Sequence, residues 1–158
     1  MTDFLKKAFE KGRIKPVEEA FKENPVEEEN HKGRLDYYLR EEEKPYNQEY
    51  FIGDIVFVSK YKYEDGSDGK NHLFVIIEKD NLAVPIDYFG MIISSQIHKA
   101  KYKANEILLK DQKNNLKSDS IVKTDYIYQI SNEQIKFKIG TVEKEKIEEY
   151  KEKYMMLQ

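Results

Sequence analysis

Between Ile92 and Lys101 the chain reads IISSQIHKAK. Ser94 and Ser95 bring hydroxyls, Gln96 a carboxamide, His98 an imidazole, and Lys99 and Lys101 ammonium groups. Such side chains are the usual contacts of phosphate oxygens. A strand that buries Ile92 and Ile93 and lifts the remainder to the surface can therefore meet an anion. His98 follows Gln96 by two residues, and a continuing strand would set both on one face. Lys99, Lys101 and Lys103 alternate in the same way and would line one solvated edge. From Ser94 to Lys138 lysines outnumber acids, which makes a local basic patch on a chain whose net charge is −3.

The elements that would position this stretch differ on its two sides. Residues 1–50 carry the whole of the net negative charge, and residues 51–158 sum to zero. Thr2 is placed to cap a short helix whose Phe4, Leu5, Ala8 and Phe9 fall at helical spacing, with Gly12 as its stop. Pro16 suits the start of a second helix, with Val17, Ala20 and Phe21 on its apolar side. Glu27–Glu29 and Glu41–Glu43 bracket a third, in which Leu35, Tyr38 and Leu39 share a face. Helices this short are unstable alone and must pack on something.

From Phe51 the period shortens to that of strands. FIGDIVFVSKYKY is β-rich, EDGSDGKN is a polar turn, and HLFVII is a continuous apolar run that predicts a buried strand. NLAVPID and YFGMIISSQ follow, with Pro85 as a bend and Gly90 as a bulge or close approach. Asn105–Lys110, Ser120–Lys123, DYIYQIS and KFKIGTV predict further short strands. Glu143–Leu157 predicts a closing helix with Ile147, Tyr150 and Tyr154 along one side. The pattern is mainly β with α, a small barrel with a C-terminal helix. It divides into an acidic helical N-terminal extension over residues 1–49 and a barrel domain over 50–158. Nothing approaches the ~20 apolar residues of a membrane span, a chain without cysteine has no disulfide framework or thiolate site, and a cytoplasmic location is the expectation. His31, His72 and His98 lack zinc-site spacing, so no metal and no cofactor is expected.

In this order GDIVFV, the loop before HLFVII, IISSQIHKAK, DSIVKTDYIYQI and KIGTV resemble the MazF/PemK family of toxin endoribonucleases, from about Gly53 to the C-terminal helix. The resemblance implies an SH3-like barrel that forms a homodimer and holds single-stranded RNA in a groove. It further implies metal-free cleavage to a 2′,3′-cyclic phosphate and a 5′-hydroxyl, and a cognate antitoxin whose acidic tail blocks the groove. Ser94 falls on the family's hydroxyl position, followed by Gln96 and Lys99. The family's arginine before the second buried strand falls at Asn71 or His72, and a second common arginine position holds Tyr128.

On that reading Ser94, His72 and Asn71 form the catalytic set. His72, whose ordinary pKa near ~6.5 lets both protonation states coexist, would act as base or acid. Ser94 would donate to the non-bridging oxygens, and His98 is a candidate second acid or base. Lys70, Ser95, Gln96, His98, Lys99 and Lys101 would bind RNA, and Tyr61, with Tyr63 and Tyr102, would stack on bases. Two alternatives share the sequence. One is a weakened module that binds RNA or a protein partner without cutting. In the other, the acidic arm inhibits, with Glu27–Glu29 or Glu41–Glu43 competing for the groove.

Overall fold

The computed structural model describes residues 1–23, 48–59 and 71–157. Helix α1 (Asp3–Glu10) starts as expected, with Thr2 Oγ1 accepting a hydrogen bond from the Leu5 N–H at 3.2 Å. Strand β1 (Ile14–Pro16) follows, then helix α2 (Val17–Glu23). The third N-terminal helix, with its two glutamate clusters and His31, lies outside the described residues, as do Tyr61, Tyr63, Lys70 and most of the EDGSDGKN loop.

The sheet then builds from β2 (Asp54–Ser59), β3 (Asn71–Asp80) and β4 (Asp87–Ser94). It continues through β5 (Asn105–Leu108), β6 (Ser120–Lys123), β7 (Ile127–Ser131) and β8 (Ile135–Thr141), before helix α3 (Lys144–Met156) closes the described chain. Its main path runs β1-β7-β4-β3-β2-β8, with β6 joined to β4 and β5 to β6. The arrangement is mainly β with a C-terminal helix, as expected. Its end strands β1 and β8 are not bonded to each other, so among the described residues the sheet is open and no barrel closes.

Alternation along the strands sends side chains to two cores. Phe57, Leu73, Val75, Met91 and Ile93 face one side, where Leu5 and Ala8 of α1 and Ile147, Tyr150 and Tyr154 of α3 cover them. Val56, Val58, Phe74, Ile76, Ile92 and Tyr128 face the other, where Val17, Ala20 and Phe21 of α2 pack. Burial on both faces is why HLFVII is continuously apolar. Buried Glu78 of β3 and Lys151 of α3 form an ion pair, and Lys153 reaches Glu106 of β5 at 2.7 Å. These two pairs fasten α3 to the sheet at β3 and β5. Gly90 is a close approach: a Cβ there would lie 3.0 Å from the Val75 carbonyl oxygen.

The sequence did not predict β1. It pairs in parallel with β7, Ile14 opposite Ile127, Lys15 opposite Tyr128 and Pro16 opposite Gln129. Pro16 therefore ends a strand and α2 begins at the next residue. A three-residue strand whose partner lies more than a hundred residues away leaves no local periodicity to read.

Candidate functional site

Strand β4 organises the site. One of its edges pairs with β3 along nearly its whole length. The other edge is shared: Asp87–Gly90 pair with β7, and Ile93 and Ser94 pair with β6. Between these two partners, beside Ile92, β6 ends at Lys123 and β7 begins at Ile127. The divergence opens a cavity of about 440 Å³ floored by Ile92, within the size range of small-ligand sites. Lys99 and Lys123 supply its cations, Tyr102, Tyr126 and Tyr128 its aromatic walls, and Asn105 and Asp125 its other polar groups.

Local bonds fix these walls. Thr124 Oγ1 donates to the Ala104 carbonyl at 2.6 Å, tying the β6–β7 connection to the start of β5. Asn105 Nδ2 donates to the Lys99 carbonyl at 2.9 Å. The Lys123 ammonium is held below the usual lysine value, first by burial and then by the nearby charge of Lys99, with Asp125 opposing. Two like charges kept together against aromatic rings gain when an anion enters between them.

The IISSQIHKAK stretch bends where the sequence suggested a strand would continue. Ser94 is the last residue of β4 and is buried; its Oγ accepts from the Gln96 N–H at 3.2 Å. Ile97–Lys101 then form a 3₁₀ turn, with the Lys99 N–H bonded to the Gln96 carbonyl at 2.9 Å. The turn removes the expected alternation. His98 does not continue a strand face with Gln96 but stands exposed, and Lys99 turns to the cavity while Lys101 and Lys103 face solvent. Lys101 Nζ lies 5.5 Å from the centre of the Tyr102 ring. Ser95 and Gln96 are half-buried.

His72 is close to Ser94 in the sheet. The β3–β4 register runs through Leu73 opposite Ile93, so the next pair outward is His72 and Ser94, on the face that α2 covers. His72 is only 7% exposed, its ring 4.9 Å from Phe21 of α2 and 6.4 Å from Phe74. A histidine expected at a loop edge is thus roofed by a segment fifty residues earlier. Asn71 starts β3, and its side chain lies outside the described part.

Sequence reasoning did not single out Lys123, Asn105 or Tyr126, although the alternation of IVKTDYIY puts Tyr126 and Tyr128 on one face. It also missed two cations from the N-terminal segment. Lys15 Nζ lies 4.1 Å, and the Arg13 guanidinium carbon 5.6 Å, from the centre of the Tyr126 ring.

No curated protein matches the chain. A family model does: residues 52–155, well over half of the sequence and the whole span from β2 to α3's last turn, fit the PemK-like, MazF-like toxins. On that match the chain belongs to the PemK-like, MazF-like toxins of type II toxin–antitoxin systems.

Proposed function

We propose that the chain is a metal-independent endoribonuclease that cuts single-stranded RNA and is restrained by a cognate antitoxin. It would act as a homodimer in the cytoplasm. The observation that carries this reading is the cavity beside Ile92, where two lysines and three tyrosines converge on the sheet face that also bears Ser94. Aromatic rings stack bases of any sequence and lysines hold the backbone; family membership supplies the toxin context.

The chemistry needs no outside reactant. The RNA 2′-oxygen attacks the adjacent phosphorus while its proton passes to the neutral Lys123 amine, and burial lowers the pKa of this lysine from its ordinary value. The bond from phosphorus to the 5′-oxygen breaks, and that oxygen takes a proton from the Lys99 ammonium. A 2′,3′-cyclic phosphate and a 5′-hydroxyl result, and the lysines restore their protons with water. The Ser94 hydroxyl proton and neighbouring N–H groups stabilise the non-bridging oxygens.

Incubation of the purified full-length protein with a long RNA in EDTA, followed by end-group analysis, tests this. Cleavage leaving cyclic phosphate is expected, and Ser94→Ala should slow it about a hundredfold. A folded protein that leaves RNA intact under these conditions overturns the enzymatic reading.

A second reading rests on α2 lying over His72. Here His72 remains the acid or base, and the toxin stays weak until α2 lifts. Phe21→Ala should then raise the cleavage rate several-fold, and His72→Ala should remove the gain. An unchanged or lower rate in a folded Phe21→Ala protein, or a gain that survives His72→Ala, eliminates this reading.

A further inference from the structure

Strand β1 lies outside the span that defines the family, yet it borders the cavity. Its parallel register sets Lys15 beside Tyr128, and residues opposite one another in adjacent strands point to the same side of a sheet. Lys15 therefore shares the face of Tyr128, a wall of the cavity. Its Nζ sits 4.1 Å from the Tyr126 ring centre, with the Arg13 guanidinium at 5.6 Å. Tyr126 thus has the cavity on its lining surface and two cations against its ring. The register is held by backbone bonds, including the Ile127 N–H to the Arg13 carbonyl at 3.2 Å.

We infer that Arg13 and Lys15 form a phosphate-holding extension of the RNA site, gripping the backbone next to a nucleotide seated between Tyr126 and Tyr128. The inference rests on the proposed RNA-directed function and deepens it. Within the cavity itself, two lysines face one aspartate; β1 adds two cations on its rim, converting a single-phosphate pocket into a track for consecutive phosphates. An arginine presents a planar donor fork suited to phosphate, and a lysine a compact point charge. A guanidinium or ammonium beside an aromatic ring is also prepositioned, so less freedom is lost on binding. The N-terminal segment is in this view part of the substrate site. RNA affinity in this chain would then depend on residues that the family span does not contain.

The test is equilibrium binding of a fluorescein-labelled single-stranded RNA of mixed sequence in EDTA, across a salt series, alongside single-turnover cleavage. The full-length Arg13→Gln/Lys15→Gln protein is expected to bind roughly tenfold more weakly at low salt. Its slope of log affinity against log salt should fall by about 0.7 for each phosphate that is no longer neutralised. The single-turnover rate at RNA concentrations below saturation should fall in proportion to the lost affinity. Arg13→Lys/Lys15→Arg should retain most of the affinity and the slope, an outcome that mere rearrangement around Tyr126 would not produce. Equal affinity and slope in a folded Gln/Gln protein, while the unaltered protein binds RNA, overturns this inference alone. Failure of the unaltered protein to bind RNA overturns the functional reading on which it rests, and the inference with it.

Discussion

Lys123→Met protein is expected to lose about a hundredfold or more in single-turnover RNA cleavage while melting at the same temperature as the unaltered chain or slightly above it. The activity loss follows from the position of the ammonium. It stands at the end of β6, in the gap between the two partners of β4, among Lys99, Tyr126 and Tyr128. A prepositioned cation or proton carrier at a phosphate typically contributes this much to a rate. The stability gain follows from the sign of the pKa shift. Folding lowers the Lys123 pKa below 10.5, chiefly by burial, so the folded state binds this proton less well than the unfolded chain. The charged group therefore opposes folding at neutral pH. That cost eases only as pH rises through the folded-state pKa toward the ordinary value. Methionine fills the same volume without charge and removes the cost. Cleavage rates over a pH series, with thermal melts by circular dichroism, check both halves. A variant that keeps its activity, or one whose melting temperature drops in step with it, would remove Lys123 from the site. The same data read the proton carrier directly: with Lys123 as base, the unaltered rate climbs with pH as its amine loses the proton, and Lys123→Met lacks that rise.

How much of this is legible in the sequence depends on how local each signal is. Strands β3 and β4 are plain because both of their faces are buried, leaving runs such as HLFVII with no polar interruption. Helix α3 is plain because Ile147, Tyr150 and Tyr154 return at helical spacing. Ser94 stands out by its place in IISSQIHKAK, and it is the last residue of β4. The residues after it have an extended pattern, whereas a hydrogen bond from the Gln96 N–H to Ser94 Oγ turns the chain at once. Propensity in a polar stretch does not anticipate such a side-chain bond. Lys123 and Tyr126 do not declare themselves as a site because the cavity exists only where β6 and β7 part from β4, a feature of register between distant strands. The cover over His72 is hidden for the same reason, since Phe21 reaches it through tertiary packing alone.

Deleting residues 1–23 is expected to abolish cooperative unfolding, leaving a chain that does not hold the site. The segment contributes to both cores. Leu5 and Ala8 are fully buried beside α3, and Val17, Ala20 and Phe21 are buried on the opposite face. Truncating a single buried leucine costs about 2–5 kcal/mol and a phenylalanine about 3–5 kcal/mol. Leu5 and Phe21 together thus approach the roughly 5–15 kcal/mol by which a typical domain of this size is stable. The loss of β1 also strips β7 of its neighbour and exposes its edge for pairing between molecules. The measurement is a thermal melt by circular dichroism with light scattering, comparing residues 24–158 with the full chain. A sharp, reversible transition in the shortened protein would show that the family span folds unaided, and the N-terminal segment would then be an accessory. The expected broad, aggregating response has a consequence for the inhibitor hypothesis. Truncation confounds release of a cover with collapse of the sheet beneath it, whereas Phe21→Ala removes the ring over His72 and leaves β1 on β7. Only the point substitution, in the intact chain, separates a segment that masks the RNA face from one that builds it.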